Sequence, residues 1–199
     1  MRAVLLDLGG VLVELAPSTD FLERLGGAQP AEALWRRWLA SPSVRAHETG
    51  RMATSDWAAA VVREFDSSLS PADFLQSFHD WIVGPFDGAH ALLDQLRARH
   101  RTAILTNLSA VHWEAASGFG LFERVDSVFA SFREGVIKPD REFFALALER
   151  LNVDSANAVF LDDNLTNVEG ARACGIEAHV VRGVAEARVT LARLGLLDD

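Results

Sequence analysis

Three short apolar runs in this chain each stop on polar residues: Val4-Leu5-Leu6 on Asp7, Ala103-Ile104-Leu105 on Thr106-Asn107, and Val159-Phe160-Leu161 on Asp162-Asp163. Runs this short and this apolar fit strands buried on both faces. Amphipathic stretches separate them. Residues 88–99 carry Ala89, Leu92, Leu93 and Leu96 at helical spacing, and residues 140–151 carry Phe143, Phe144, Ala147, Leu148 and Leu151 on one face. Further strands are expected over 127–130 and 178–181, and further helices over 110–117, 165–173 and 184–194. The alternation predicts an α/β fold with a parallel sheet covered on both faces. Ligands bind such sheets beyond the carboxyl ends of the strands. Asp7, Thr106 and Asp162 all fall at that edge.

Residues 16–85 read differently. They show helical periodicity and no convincing strand, which predicts an α-helical cap inserted after the first strand. The core is then expected over 1–15 and 86–199. Ser70-Pro71 reads as a helix N-cap followed by proline at the first helical position. Thr54 or Ser55 is expected to cap the helix before it. Trp35, Trp38, Trp57 and Trp81 lie in this stretch, and most of them are expected to form the cap's small core.

The chain has 199 residues, 49% hydrophobic and 24% charged, the composition of a globular protein with a sizeable core. Its formal net charge of −9 argues against non-specific nucleic-acid binding and against docking on anionic membrane. A single cysteine, Cys174, excludes an internal disulfide and reads as a small buried hydrophobe. The apolar stretch after Arg2 is broken by Asp7, so it does not make a signal peptide, and no apolar run approaches a membrane span. A cytoplasmic protein is expected. Oligomeric state is not legible.

The polar residues at the strand ends define a chemistry. A carboxylate followed by two glycines (Asp7, Gly9, Gly10), a hydroxyl (Thr106), an ammonium before a proline (Lys138) and an acidic pair (Asp162-Asp163) suit a phosphate and a divalent cation. An attack on phosphorus needs an unprotonated nucleophile, which an ordinary aspartate provides at pH 7. Its repulsion from the phosphate calls for a cation, and Mg²⁺ takes hard oxygen ligands.

In order and in setting, Asp7-Leu8-Gly9-Gly10-Val11, Thr106-Asn107, Lys138-Pro139 and Asp162-Asp163-Asn164 resemble the four motifs of the haloacid dehalogenase superfamily. The branch most similar holds sugar-phosphate phosphatases and the N-terminal phosphatase domain of soluble epoxide hydrolase. The resemblance implies a Rossmann-like core and a Mg²⁺-dependent phosphomonoester hydrolase with an aspartyl-phosphate intermediate, acting on a small phosphorylated metabolite. It implies Asp7 as nucleophile, with Thr106 and Lys138 holding the phosphate. Asp7, Asp163 and the Gly9 carbonyl would be the metal ligands, with Asp162 orienting a metal-bound water or a neighbouring ligand. Leu8 and Gly9 amides, with Asn107, would contact the substrate.

One position departs from the family pattern. Most phosphatases of this superfamily carry a second aspartate two residues past the nucleophile, as acid and base for the leaving group. Here Gly9 stands there. Three readings follow. The leaving group needs little protonation, as with an anomeric or acyl oxygen; this is the favoured one. Alternatively, a cap residue supplies the proton, and His47 and Glu48 in Ala46-His47-Glu48-Thr49-Gly50 are the candidates. In the third, the fold is a catalytically weak phospho-ligand-binding or interaction protein. Dehalogenation without a metal is a further alternative, for which an aromatic residue 9 is expected. Ser109, His112 and Trp113 are expected to approach the cavity from the core side, and Arg45 and Arg51 are candidates to meet a second anionic group.

Overall fold

β1 (Ala3–Leu6) lies at the centre of five parallel strands in the order β5-β4-β1-β6-β7. Its neighbours are β4 (Arg101–Thr106) and β6 (Ala158–Asp162), while β5 (Ser127–Ala130) and β7 (Glu177–Val180) form the edges. The computed structural model describes residues 2–27 and 29–198. Successive strand residues feed opposite faces. Val4, Leu6, Ile104 and Val159 pack with α6 (Ala89–Arg97) and α11 (Gly183–Arg193). Ala3, Leu5, Leu105 and Phe160 pack with α9 (Arg141–Leu151) and α10 (Leu165–Ala173). The expected α/β sheet with helices on both faces is what the chain forms.

Between β2 (Val13–Leu15) and β3 (Ile82–Pro85) the described residues form five helices: α1 (Thr19–Gly26), α2 (Ala31–Ala40), α3 (Pro42–Glu48), α4 (Thr54–Glu64) and α5 (Pro71–His79). β2 and β3 pair antiparallel as a separate two-stranded ribbon. This corrects the strand-free reading of residues 16–85, because β3 lies inside that stretch. Ile82-Val83 is followed at once by Gly84-Pro85, so the strand is too short to show alternation, and it is defined by its distant partner.

The helices close around their own aromatic core. Trp57 is fully buried, and Trp38 and Trp81 are nearly so. Trp38 sits 5.3 Å from Trp81 and 5.8 Å from Phe78, ring centre to ring centre, and Trp35 packs at the edge of the cluster. Ser70 caps α5 through Asp73 N with Pro71 in the first turn, as expected. Thr54 does not cap α4. The N-cap residue is Ala53, and the Thr54 hydroxyl pairs with His47 Nε2 at 3.2 Å instead. Cys174 is half-buried at the end of α10 rather than buried. No helix among the described residues is long and apolar enough to cross a membrane.

The helical layer is fastened to the sheet by specific contacts. His112, on α7 (Ala110–Ser117), donates from Nε2 to the Phe78 carbonyl at 2.6 Å. Arg45 pairs with Asp140, the N-cap residue of α9, and Arg51 donates to the Gly135 carbonyl at 3.1 Å. Gly50 has φ +70°, and a Cβ there would strike the Phe132 carbonyl, so no side chain fits between cap and core at this point. Arg45 and Arg51 therefore staple the cap down.

Two histidines make this junction sensitive to acid. His47 stacks on Trp57 at 3.9 Å and His112 stacks on Phe78 at 4.0 Å. Burial pushes both imidazoles down to about 4, with the neighbouring His112 adding to the effect at His47. In the unfolded chain both titrate near about 6.5. Above that pH neither state takes up a proton. Between 6.5 and 4 the unfolded chain binds protons that the folded chain refuses, so stability falls as pH falls. His112→Gln keeps an N–H for the Phe78 carbonyl and does not titrate. Urea unfolding from pH 7 to pH 4 should show a smaller loss in this variant, by about 1–3 kcal/mol. A loss equal to the wild type's would mean that His112 is not held neutral.

Candidate active site

The sheet register brings the strand-end residues to one level. Leu6 is aligned with Ile104 on β4 and Leu161 on β6, and Asp7 N continues the ladder to the Leu161 carbonyl at 2.9 Å. Asp7 and Asp162 therefore leave adjacent strands side by side. Thr106, the last residue of β4, is buried beside them, and its hydroxyl pairs with no other described residue.

Lys138 reaches the same point from the loop before α9. Its ammonium has no solvent exposure and sits 2.9 Å from Asp7 Oδ1 and 2.6 Å from Asp162 Oδ2. Burial works against this charge, but the two carboxylates outweigh it and hold the lysine above its ordinary value. Asn107 fixes the lysine backbone by a reciprocal pair: Lys138 N donates to its Oδ1 at 2.9 Å, and its Nδ2 donates to the Lys138 carbonyl at 3.0 Å. The Asn107 amide, expected to contact substrate, is engaged by the Lys138 backbone, and the residue also lines a cavity shared with Glu48.

Asp162 is fully buried and its oxygens are occupied. Oδ1 accepts from Asn164 N at 2.8 Å, Oδ2 accepts from Lys138, and Asn167 Nδ2 lies 3.1 Å from both. A carboxylate so engaged has little capacity left for a cation. It orients Lys138. Asn167 carries no signal of its own in the sequence, because a lone asparagine two positions into α10 is ordinary. The available clue is its placement five residues after Asp162, on the helical face that turns back to the strand end.

Asp7, Asp162 and Asp163 each offer a carboxylate oxygen, all within 4.8 Å of one another. Asp7 Oδ1 accepts from Leu8 N at 2.7 Å and from Lys138, while Oδ2 has no partner among the described residues. The Gly9 carbonyl and the Asp163 carboxylate likewise have no partner in any other described residue. Gly10 has φ +72°, and a Cβ on it would lie 2.5 Å from the Asp163 carboxylate. The turn thus presents unsatisfied hard oxygens in a cradle that only glycine leaves open, a donor set that fits Mg²⁺. The Leu8 amide, expected in a phosphate cradle, is directed at Asp7 itself.

The electrostatics are those of a site awaiting positive charge. Burial pushes the Asp7 carboxyl up to about 8, against the pull of Lys138 and helped by Asp162 and Asp163. Burial and Asp162 raise Asp163 as well. A bound cation reverses that local balance.

His47 and Glu48 are adjacent on α3 but go separate ways. His47 turns into the cap core, between Trp57 and Thr54, so the structure does not bring it to the strand ends. Glu48 lines a cavity of about 120 Å³ together with Lys138, Asn107, Asn164 and Ile137. Ser109 caps α7, His112 is bonded to Phe78, and Trp113 lies under the Arg133 guanidinium at 3.7 Å. None of the three lines the cavity. A larger cleft, about 420 Å³, opens at the opposite edge of the sheet among Arg97, Arg99, Arg101 and Arg150. Each of those arginines is engaged, by Asp126, Asp198, the Leu151 carbonyl and Glu134 respectively, and no carboxyl strand end faces it.

Comparison with known proteins gives the same frame. The family model for haloacid dehalogenase-like hydrolase matches residues 1–175. A Mycobacterium tuberculosis phosphatase is 26% identical over 97% of this chain and 93% of its own length. The N-acetylmuramic acid 6-phosphate phosphatase of Pseudomonas aeruginosa is 26% identical over 92% of this chain and 82% of its own. Acyl-CoA dehydrogenase family member 10 of Mus musculus is 29% identical over 88% of this chain, which spans only 17% of that protein. Among solved structures, a HAD family enzyme of Bacteroides thetaiotaomicron in complex with magnesium and inorganic phosphate superposes with a TM-score of 0.72. It is 19% identical and covers 92% of this chain and 94% of its own.

The Asn167–Asp162 contact has a measurable consequence. Asn167→Leu removes a donor from a buried carboxylate, which should lower stability by about 1–3 kcal/mol in urea unfolding. Unchanged stability would show that solvent replaces the amide.

Proposed function

Because the chain belongs to the haloacid dehalogenase-like hydrolases, we propose that it is a Mg²⁺-dependent phosphomonoester hydrolase that works through an aspartyl-phosphate on Asp7. The observation that carries this is the Asp7 carboxylate: one oxygen is held by Lys138 and Leu8 N, the other has no partner among the described residues, and the carboxylates of Asp7 and Asp163 come within 4.8 Å of each other. That is a nucleophile held in one orientation, and such positioning lowers the entropic part of a barrier.

Asp7, Asp163 and the Gly9 carbonyl would hold the magnesium. When bound, the ion supplies positive charge that ionises Asp7 and offsets its repulsion from a phosphate dianion. Asp7 attacks phosphorus in line and the ester oxygen departs. Lys138 and the Thr106 hydroxyl hold the phosphoryl oxygens as charge develops on them. Asp162 and Asn107 keep Lys138 in place from its two ends. Water then cleaves the aspartyl-phosphate and regenerates the carboxylate.

A small phosphorylated metabolite, with sugar phosphates foremost, is the proposed substrate class. The Pseudomonas relative is named for a sugar phosphate. Asp7→Asn should abolish turnover in a screen of phosphorylated metabolites with Mg²⁺ while leaving thermal unfolding cooperative. Turnover retained in that variant excludes the covalent route. Magnesium should raise the melting temperature of the wild type, and Asp163→Asn should remove that increase. A wild type that binds phosphate yet hydrolyses no phosphoester is a binding protein, and halide release without magnesium would mark a dehalogenase.

A further inference from the structure

If Asp7 is the nucleophile, an alkoxide leaving group must still acquire a proton, and the site's own groups can be tested one by one. Asp162 is saturated by Lys138, Asn164 and Asn167. Lys138 is held charged between two carboxylates. Asp163 and Asp7 carry the cation and the phosphoryl group in the proposed reaction. Gly9 has no side chain, and a Cβ there would lie 2.7 Å from the Leu15 δ-methyl. His47, the other cap candidate, is sealed against Trp57 and Thr54.

Glu48 remains. It stands at the end of α3, on the cap side of the cavity whose core side is formed by Lys138, Asn107 and Asn164. Its carboxyl forms no hydrogen bond or ion pair with the other described residues. Its helix is fixed by Arg45 to Asp140, and the next turn is pressed on the Phe132 carbonyl at Gly50. The group therefore shares a cavity with Lys138, whose ammonium is 2.9 Å from Asp7, and is carried there by a braced element.

We infer that Glu48 is the acid–base residue of the reaction: it protonates the leaving oxygen and then deprotonates the attacking water. This rests on the phosphatase reading above. In the first step the Asp7–phosphorus bond forms, the bond from phosphorus to the ester oxygen breaks, and the Glu48 proton passes to that oxygen, releasing an alcohol. In the second, water attacks phosphorus and the Asp7–phosphorus bond breaks. The water proton returns to Glu48, releasing inorganic phosphate. No other reactant is needed. The protonation state suits such a role, because burial raises the Glu48 carboxyl to about 7, against the pull of Lys138. Lys138 and Arg45 are the other charged residues lining that cavity, and Arg45 is tied to Asp140. The sequence alone favours leaving groups that need no proton. A carboxyl in this position removes that restriction and admits alkyl phosphates.

The test is a leaving-group series with Mg²⁺, from alkyl phosphates through phenyl phosphate to p-nitrophenyl phosphate. Glu48→Gln should lower kcat/KM about 10²–10³-fold on alkyl phosphates and less than about tenfold on p-nitrophenyl phosphate. The decline of wild-type alkyl activity above pH 7 should be absent from the variant. An equal fall across the series, or none, overturns the assignment. A second measurement needs no variant: wild-type kcat/KM should depend only weakly on leaving-group pKa, and a steep dependence would also overturn it. If the wild type hydrolyses aryl phosphates but the series shows no such contrast, only the role of Glu48 fails. If it hydrolyses no phosphoester at all, the phosphatase reading fails and this assignment falls with it.

Discussion

A fully buried ammonium between two carboxylates organises this molecule. Lys138 has no water to solvate it, and an unpaired charge in that position is prohibitively unfavourable. Asp7 and Asp162 must therefore be where they are, at matching levels of adjacent strands. That requirement ties the first strand of the chain to β6 and to the loop before α9. Asn107 extends the constraint to β4. Such an arrangement contributes little net stability compared with an apolar replacement, but it specifies geometry. Here the geometry is that of a carboxylate with one oxygen held and one free.

How much of this is legible in the sequence depends on range. The strands that matter announce themselves because they are buried on both faces: Val4-Leu5-Leu6 and Val159-Phe160-Leu161 admit little else. Their polar ends are equally plain. β3 is not, because Ile82–Pro85 is a strand only by virtue of pairing with Val13–Leu15. Thr54 shows the same limit at a smaller scale. Its residue type suits an N-cap, but a histidine seven positions earlier takes the hydroxyl. Asn107 is singled out in the sequence and Asn167 is not, and both bond to the Lys138–Asp162 pair. Roles that consist of holding another residue leave no local pattern.

His47 and Glu48 make the point sharply, since neighbouring helical residues diverge by about 100°. One enters an aromatic core and the other faces the lysine. Nothing in Ala46-His47-Glu48-Thr49-Gly50 says which residue does which. The answer comes from where Trp57 lies and from the close approach of Gly50 to Phe132. Packing of the cap therefore decides which side chain the reaction can use. The aromatic core matters to chemistry for that reason, although none of its rings need touch a substrate.

The net charge of −9 does not exclude an anionic substrate, because a bound cation and one lysine can reverse the local sign. Asp7, Asp162 and Asp163 cluster beside the buried Lys138 ammonium, and Glu48 lines a cavity with the same lysine. Two features bear on that balance. Burial raises Asp7, Asp163 and Glu48 above their ordinary values. A divalent cation at the Asp163 end would displace the protons it competes with, ionising the nucleophile there. Glu48, which lines a cavity with Lys138, would keep its proton for transfer in the proposed reaction. In the proposed reaction, burial at Asp7 and Glu48 would thus assign one carboxyl to attack and the other to donate.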